Sequence, residues 1–230
     1  MDRYSVIETK NPREIVLLRA FPCAWGKCLF CDYIDDNSKD EEKMNELNFS
    51  VLENITGEYG VLEVINSGSC FELPKKTLER IKEIVIEKNI HTLWFESHWC
   101  YRKRLQEMKD FFPGVKIKFK IGVESFDNEF RNGYLNKHAD FKSYEDVNKL
   151  FESPCIMVGI KGQTREMIER DIEIIENHFE RGTVNVFVNN TTPVKRDEAL
   201  VKWYCEKFRY LDENPNIEVL YNNTDFGVGD

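Results

Sequence analysis

Three cysteines lie close together near the start of the chain. Cys23, Cys28 and Cys31 fall within nine consecutive positions, with four residues between the first two and two between the last two. Gly26 lets the loop fold back on itself, so the three thiolates can converge on one metal centre. No second Cys-x-x-Cys pair follows to complete a four-ligand structural zinc site. Three thiolates instead suit a [4Fe-4S] cluster that keeps one iron open for a small molecule.

The cysteines alone leave two other interpretations open. One is a zinc site completed by Cys70, Cys100 or a histidine, and the other is that the thiols are simply buried and unreactive. The remaining cysteines are scattered through the chain, which favours small buried apolar side chains. These are Cys70, Cys100, Cys155 and Cys205.

The cysteine spacing resembles the cluster loop of the radical S-adenosylmethionine superfamily. That loop usually has three residues between its first two cysteines where this chain has four, and Phe30 fits the aromatic position before the third cysteine. The resemblance covers the chain from about Ile15 to Val188. It implies that the three cysteines bind a [4Fe-4S] cluster, that S-adenosylmethionine is the second cofactor, and that a protein such as flavodoxin or ferredoxin donates the electron.

Composition narrows the class of protein and of partner. The net charge of −9 would repel a phosphate backbone, which favours a small-molecule substrate over nucleic acid. No long apolar run, basic tail or signal-like start occurs, so neither a membrane span nor secretion is indicated. Seven cysteines, three of them clustered, suit a reducing cytoplasm better than a disulfide framework.

Strand and helix patterns alternate along the chain. Six apolar runs of strand length each precede a turn and a helical pattern, at residues 14–21, 61–65, 91–96, 115–123, 155–160 and 183–188. This alternation, with the resemblance, predicts an α/β fold: an open, partial (β/α)6 barrel of parallel strands, of the radical S-adenosylmethionine type. We expect one domain over residues 1–230, with its core at about 14–210 and a C-terminal extension at 211–230. Residues 217–221 could add a closing strand, and the alternating lysines of residues 116–120 predict a solvated strand face.

The turns after the predicted strands hold the candidate cofactor residues. The resemblance implies that Ser67, Gly68 and Ser69 bind the amino group of S-adenosylmethionine and that Glu124 faces its ribose. Arg131 is a candidate partner for the cofactor carboxylate. The alternatives are a plain connecting turn for 67–69, a charge at a helix start for Glu124, and an exposed helical arginine.

The small size, the cluster loop and the ending Asn222–Gly227 are similar to the bacterial queuine lyases. These are radical S-adenosylmethionine enzymes of queuosine salvage that cut queuine to release 7-aminomethyl-7-deazaguanine. A guanine-like face needs a carboxylate to accept from its N1–H and amine, and amide or hydroxyl groups for its carbonyl. Glu96 and His98, at the end of the third strand, are the candidate catalytic residues. The candidate substrate-binding residues are Glu72, Glu96, Asn189, Asn190 and Asp225.

Two other functions fit the same motifs. A radical enzyme acting on another small molecule, such as a pterin-like precursor of the deazapurine, would differ only in its substrate pocket. A non-catalytic iron–sulfur or zinc protein that senses redox state or binds a partner belongs to a different class. The candidate substrate residues could equally be ordinary loop or capping residues.

Overall fold

The computed structural model describes residues 2–222 of the chain. These residues fall into two compact units. The first unit holds residues 2–26 and 33–119, and the second holds residues 27–32 and 120–222. The sequence expectation of a single domain stays a prediction. Asp225, a candidate substrate residue, lies outside the described residues.

Within each unit the strands pair with one another in chain order. They are β1 (Tyr4–Ile7), β2 (Arg13–Leu18), β3 (Val61–Asn66), β4 (Thr92–Glu96), β5 (Lys116–Glu124), β6 (Ser153–Val158), β7 (Gly182–Val186) and β8 (Ile217–Leu220). In the first unit β1 is antiparallel to β2, while β2, β3 and β4 are parallel. In the second unit residues 120–124 of β5 run parallel to β6, and β6, β7 and β8 are parallel.

A helix follows each strand from β2 to β7. The helices are α1 (Glu41–Leu52), α2 (Lys75–Glu87), α3 (Leu105–Phe111), α4 (Tyr144–Asn148), α5 (Arg165–His178) and α6 (Glu198–Lys207). None of these described helices has the length and apolar character needed to span a bilayer. Short 3-10 turns at Cys70–Glu72 and Trp99–Tyr101 and a π-helix at Glu129–Tyr134 follow β3, β4 and β5.

The predicted alternation of six strands and helices is confirmed. Each predicted strand matches an observed one, with end shifts of a few residues, and the closing strand is β8. The sequence reading missed β1, which is only 4 residues long, and α4, which has 5. Both are too short for a hydrophobic period to stand out from background.

The solvated face predicted for β5 is wrong at its centre. Lys116 is exposed, but Lys118 is buried with its ammonium 5.0 Å from the centroid of the Trp94 ring. The lysine stem packs as an apolar chain while the charge meets the indole face. The alternating lysines of β5 therefore do not mark a face that is exposed to solvent, because Lys118 packs against Trp94.

A buried ion pair and a buried carboxylate hold the start of the first unit. Arg13 on β2 pairs with Glu63 on β3, and both side chains are buried. Glu14 accepts hydrogen bonds from the Tyr4 hydroxyl at 2.9 Å, the Thr56 amide at 2.6 Å and the Gly57 amide at 2.7 Å. These bonds join β1 and the turn before β3 to β2, so the strand that leads into the cysteine loop is anchored at its beginning.

In the second unit, α5 and α6 pack on β6 and β7. Ile168, Ile172 and Ile175 of α5 are buried in one cluster with Val184 and Val186 of β7. From α6, Tyr204 is buried in the same cluster and Trp203 packs against it.

Asp171 ties α5 to the loop that leaves β5. Its carboxylate accepts from the Ser125 hydroxyl at 2.6 Å and from the Phe126 amide at 3.0 Å. Burial raises the pKa of Asp171 to about 6, although both hydrogen bonds act to lower it. The folded chain therefore binds this proton more tightly than the unfolded chain does.

We expect Asp171→Asn to change how stability depends on pH. As pH rises from about 4 to about 6, wild-type chain loses up to about 3 kcal/mol of unfolding free energy at this site, because the carboxyl ionises more readily when unfolded. Asparagine does not titrate and can still bond Ser125 and Phe126. Urea unfolding of both chains between pH 4 and 7 should show the variant gaining relative stability with pH. Asp110→Asn, on the exposed side of α3, is the control, and parallel curves for wild type and Asp171→Asn would contradict the prediction.

Candidate active site

The cysteine loop begins where β2 ends. Cys23 lies in the first unit and is half-buried. Gly26 has φ +56, and a Cβ at this position would lie 3.1 Å from the Cys23 carbonyl oxygen. The glycine thus permits the tight turn that the sequence predicted for the loop.

Asn37 connects Cys23 to the turn after β3. Its side-chain oxygen accepts from the Cys23 amide at 2.9 Å, and its amide nitrogen donates to the carbonyl oxygen of Ser67 at 3.2 Å and to the Ser67 hydroxyl. One side chain therefore positions both the first predicted cluster cysteine and the first candidate cofactor residue. Asn37 was not predicted, because its segment carries no periodicity or motif.

Glu72 makes a second connection between the same two segments. One carboxylate oxygen accepts from the Ala24 amide at 2.9 Å and the Tyr101 hydroxyl at 3.0 Å, and the other accepts from the Ser69 amide. Burial raises the pKa of Glu72, while the hydrogen bonds from Ala24, Ser69 and Tyr101 lower it in part. Both oxygens are engaged within the chain, which favours a positioning role over the predicted role in substrate binding.

The Ser-Gly-Ser turn lies directly against Cys23. A Cβ on Gly68 would be 2.6 Å from a Glu72 carboxylate oxygen and 3.4 Å from the Cys23 Cβ, so only glycine fits without moving one of them. Ser69 is buried and donates to the Ser97 hydroxyl at 3.1 Å. The structure thus brings the predicted turn and the first predicted cluster ligand together.

Asn66, the last residue of β3, carries an unsatisfied acceptor beside this turn. Its amide nitrogen donates to the Ser69 carbonyl oxygen at 3.1 Å. Its side-chain oxygen is buried and has no hydrogen-bond partner within residues 2–222. A buried carbonyl oxygen without a donor is costly, and a bound amino group would satisfy it.

The end of β4 supplies the candidate catalytic residues. Glu96 is half-buried at the last position of the strand, and His98 follows it. The His98 Nδ1 accepts from the Cys100 amide at 3.2 Å and caps the 3-10 turn. Cys100 is exposed, which corrects the expectation that it is buried, while Cys70 is buried as expected.

The rest of the cysteine loop packs within the second unit. Phe30 is buried with Phe130, Leu135, Met157, Ile160, Phe187 and Val194, and Cys28 and Cys31 pack against this cluster. The Cys31 amide donates to the Cys28 carbonyl oxygen at 3.3 Å, which forms a turn between these two ligands. The aromatic residue before the third cysteine therefore anchors the loop.

Glu124 and Lys137 form a buried ion pair. The Lys137 Nζ and Glu124 Oε1 atoms are 2.6 Å apart. The side chain of Lys137 is 12% exposed and that of Glu124 is 7% exposed. Burial alone would lower the pKa of Lys137, but the charges of Glu124, Cys28 and Cys31 outweigh it and the pKa is raised. The Lys137 ammonium also lies 5.5 Å from the centroid of the Phe30 ring. It therefore places a positive charge beside Cys28 and Cys31, the two predicted cluster cysteines of this unit.

The backbone at Glu124 has a left-handed conformation. Its φ is +64, and the pairing of β5 with β6 shifts by one residue at this point. A Cβ on Gly122 would lie 2.5 Å from the Glu124 carboxylate oxygen and 2.8 Å from the Lys137 ammonium nitrogen. The bulge turns the carboxylate to its partner, and Gly122 leaves the room for the pair.

Arg131 is buried, which corrects the alternative of an exposed helical arginine. Its guanidinium donates to the carbonyl oxygens of Ala139 at 2.8 Å, Ser125 at 2.9 Å and Phe141 at 3.1 Å. These bonds hold the loops around the π-helix. They favour a structural role over the predicted contact with a cofactor carboxylate.

Asn189 and Asn190 are engaged in local loop contacts. The Asn190 amide nitrogen donates to the Phe30 carbonyl oxygen at 2.7 Å, and its side-chain oxygen accepts from the Thr192 hydroxyl at 2.6 Å. Asn189 accepts from the Arg196 amide at 2.9 Å. Asn190 thus supports the cluster loop, and for both residues these contacts favour the loop alternative over substrate binding.

The donor set of the cysteine loop is the one that an iron–sulfur cluster uses. Cys23, Cys28 and Cys31 are free thiols on one loop, and cysteine sulfur is the usual ligand of such clusters. Within residues 2–222, no three His, Cys, Asp or Glu side chains are gathered as closely as a single metal ion requires.

Comparison with known proteins gives relatives of two kinds. No protein-family model matches the chain. An uncharacterised protein of Methanocaldococcus jannaschii is 25% identical over 181 residues, which cover 71% of this chain and 42% of that protein. The chain therefore spans less than half the length of that curated relative.

Solved structures give a closer match. Two crystal structures of Streptococcus suis SuiB, one bound to S-adenosylmethionine, are 14% identical to this chain, with TM-scores of 0.56 and 0.52. The matches cover 89% and 90% of this chain but only 48% and 46% of SuiB. At that identity they show the fold alone.

A structure of queuine lyase from Clostridium spiroforme, bound to S-adenosylmethionine and queuine, is 51% identical with a TM-score of 0.96 and covers 100% of both chains. This match confirms the predicted fold class, a partial (β/α)6 barrel. The chain belongs to the queuine lyase family of radical S-adenosylmethionine enzymes.

Proposed function

We propose that the chain cleaves queuine to 7-aminomethyl-7-deazaguanine, with a [4Fe-4S] cluster and S-adenosylmethionine as cofactors. The observation that carries this proposal is the full-length match, at 51% identity, to a queuine lyase bound to S-adenosylmethionine and queuine. The free, clustered thiols of this chain support the cluster, and the net charge of −9 supports a small-molecule substrate.

Cys23, Cys28 and Cys31 would bind the cluster, and the remainder of the loop would hold them in place. When bound, the cluster supplies the electron that cleaves S-adenosylmethionine to the 5′-deoxyadenosyl radical. The chain's own task is to orient both small molecules and exclude water. Phe30, buried between the second and third ligands, contributes by covering the loop from the inside.

The cofactor residues proposed in the first unit are Ser67, Gly68 and Ser69, now joined by Asn66. The unsatisfied Asn66 oxygen can accept from an amino group, and Gly68 lets the backbone come close to Cys23. In the second unit, Glu124 would accept from the two ribose hydroxyls while Lys137 balances its charge.

The substrate residues proposed are Glu96 and His98, with Asp225 beyond the described residues. Glu96 offers an acceptor at the end of a parallel strand, and His98 holds the following turn through its Nδ1. Glu72, Asn189, Asn190 and Arg131 serve as positioning residues. We further propose a cytoplasmic location, because all seven cysteines are free thiols.

The first test is anaerobic turnover of the iron-reconstituted chain with reductant, S-adenosylmethionine and queuine. We expect 5′-deoxyadenosine and 7-aminomethyl-7-deazaguanine by mass spectrometry, and neither product from Cys28→Ala, whose iron content should fall because the cluster loses a ligand. Cys205→Ala, far along the chain on α6, is the matched control and should keep both products. Formation of 5′-deoxyadenosine without the purine product would discard queuine as substrate.

Glu72→Gln should weaken cofactor binding without removing any ligand. Glutamine keeps only one acceptor oxygen. Either the bonds from Ala24 and Tyr101 to one oxygen or the bond from Ser69 to the other is therefore lost, which costs roughly 2 kcal/mol of hydrogen-bond free energy. We expect lower iron content and about a tenfold weaker Kd for S-adenosylmethionine in equilibrium dialysis. Glu79→Gln, exposed on α2, should match wild type. Unchanged iron content and Kd in Glu72→Gln would remove its positioning role.

Glu124→Gln should weaken S-adenosylmethionine binding by about tenfold or more, because the amide loses the charge that strengthens bonds from two hydroxyls. It also leaves the Lys137 ammonium buried without its counter-charge, which lowers stability. Lys137→Met breaks the pair but keeps the carboxylate, so comparing Kd and Tm of the two variants separates the ribose contact from the ion pair. Equal loss of affinity in both would contradict a direct role for Glu124.

A further inference from the structure

An exposed surface of mixed lysine and apolar side chains surrounds the second half of the cysteine loop. We define this loop face as Lys27, Leu29, Tyr134, Lys161 and Lys195. Leu29 and Tyr134 are 46% and 42% exposed, high values for large apolar side chains, and all three lysines are exposed. None of these residues has been given a role in the cluster, the cofactor or the substrate site.

Backbone contacts make the loop face continuous. The Leu29 amide donates to the Leu135 carbonyl oxygen at 3.0 Å, and the Asn136 side chain donates to the Lys27 carbonyl oxygen at 2.8 Å. The cysteine loop therefore lies along residues 134–136.

Tyr134 extends the face to the turn after β6. A Cβ at Gly162 would be 3.7 Å from the Tyr134 ring, and the Lys161 amide donates to the Lys195 carbonyl oxygen at 2.8 Å. The elements that carry all five side chains are thus in contact within the second unit.

We propose that the loop face is the docking site for an acidic one-electron carrier protein. The inference rests on the proposed radical function, which needs an electron delivered to the cluster. Leu29 is adjacent in sequence to Cys28, so a carrier seated on its exposed side chain is one residue from a cluster ligand. A small apolar centre with a charged rim is the composition of transient electron-transfer contacts.

The positive charge of the loop face determines which kind of carrier protein it attracts. The chain as a whole has a net charge of −9, so an acidic protein is repelled by most of its surface. Three exposed lysines at the loop face give the local attraction that orients such a partner and raises its association rate. Glu129 and Glu166 lie on neighbouring elements, so reversing lysine charges tests the idea more clearly than neutralising them.

The test compares two reductants on the loaded enzyme. Lys161→Glu/Lys195→Glu changes the loop face, while Lys27 is kept because it adjoins Cys28. Lys76→Glu/Lys88→Glu, exposed on and just after α2, carries the same change in net charge elsewhere. Reduced bacterial flavodoxin and reduced 2[4Fe-4S] ferredoxin are the acidic carriers, and reduced methyl viologen is a small cation that the lysines do not attract.

We expect the loop-face variant to be reduced by both carriers about tenfold more slowly than wild type at low salt, followed by stopped-flow absorbance of the cluster, with weaker carrier binding in calorimetry. Added salt should slow the reduction of the wild-type cluster by the carriers. It should also narrow the difference in rate between wild type and the loop-face variant. The α2 variant should behave as wild type, and viologen should support equal 5′-deoxyadenosine formation in all three. If the double variant binds less iron than wild type, the single variant Lys161→Glu takes its place. We expect its rate of reduction by the carriers to fall by a smaller factor.

Equal carrier rates and affinities in the loop-face and α2 variants would overturn the docking site, as would a wild-type chain that neither carrier reduces. A wild-type chain that makes no 5′-deoxyadenosine with viologen would instead refute the proposed function. The two failures are therefore distinguishable in one set of measurements.

Discussion

The carboxylate of Glu72 is the interaction on which the first half of the site depends. A buried carboxylate is costly unless donors surround it, and here the donors come from Ala24 in the cysteine loop, Ser69 in the following turn and Tyr101 after β4. Three segments that are far apart in sequence must therefore converge on one charge. Asn37 repeats the connection between Cys23 and Ser67. The proposed cluster ligand Cys23 and the proposed cofactor turn are consequently placed by the same few polar bonds.

The second unit satisfies its buried carboxylate differently. Glu124 has a full counter-charge in Lys137, and the left-handed backbone at Glu124 together with the absent side chain at Gly122 makes room for the pair. An ion pair of this kind balances charge but leaves carboxylate lone pairs for a ligand. Glu72 has its oxygens occupied by the chain itself. This difference in hydrogen-bond capacity explains why Glu124 is proposed to bind the cofactor and Glu72 to position it.

Predictions of strands and helices depend on the pattern of residue types along the chain, whereas predictions of site residues depend on which groups each side chain contacts. The sequence was a better guide to the first kind than to the second. The strand runs and helical periods predicted the fold correctly because burial against a sheet imposes a repeat that is visible in sequence. The lysines at 116–120 misled, because Lys118 alternates like a solvated residue yet is buried over Trp94. Arg131, Asn189 and Asn190 are predicted to contact ligands, and in the structure each forms hydrogen bonds to backbone groups of its own chain. Polar side chains in loops have the same appearance in sequence whether they bind a ligand or a carbonyl of their own chain.

The sequence by itself determined the candidate donor set for the cluster and the order of the fold. Three thiols at short spacing specify a donor set through covalent connectivity alone, and the βα alternation follows from local periodicity. Only the tertiary structure decided that Asn37, Glu72 and Lys137 lie at the candidate site and that the Asn66 side-chain oxygen meets no hydrogen-bond donor among residues 2–222. Each of those roles depends on which distant donor, acceptor or charge a side chain meets. Such partners are set by how the turns after the strands pack, and no spacing along the chain encodes them.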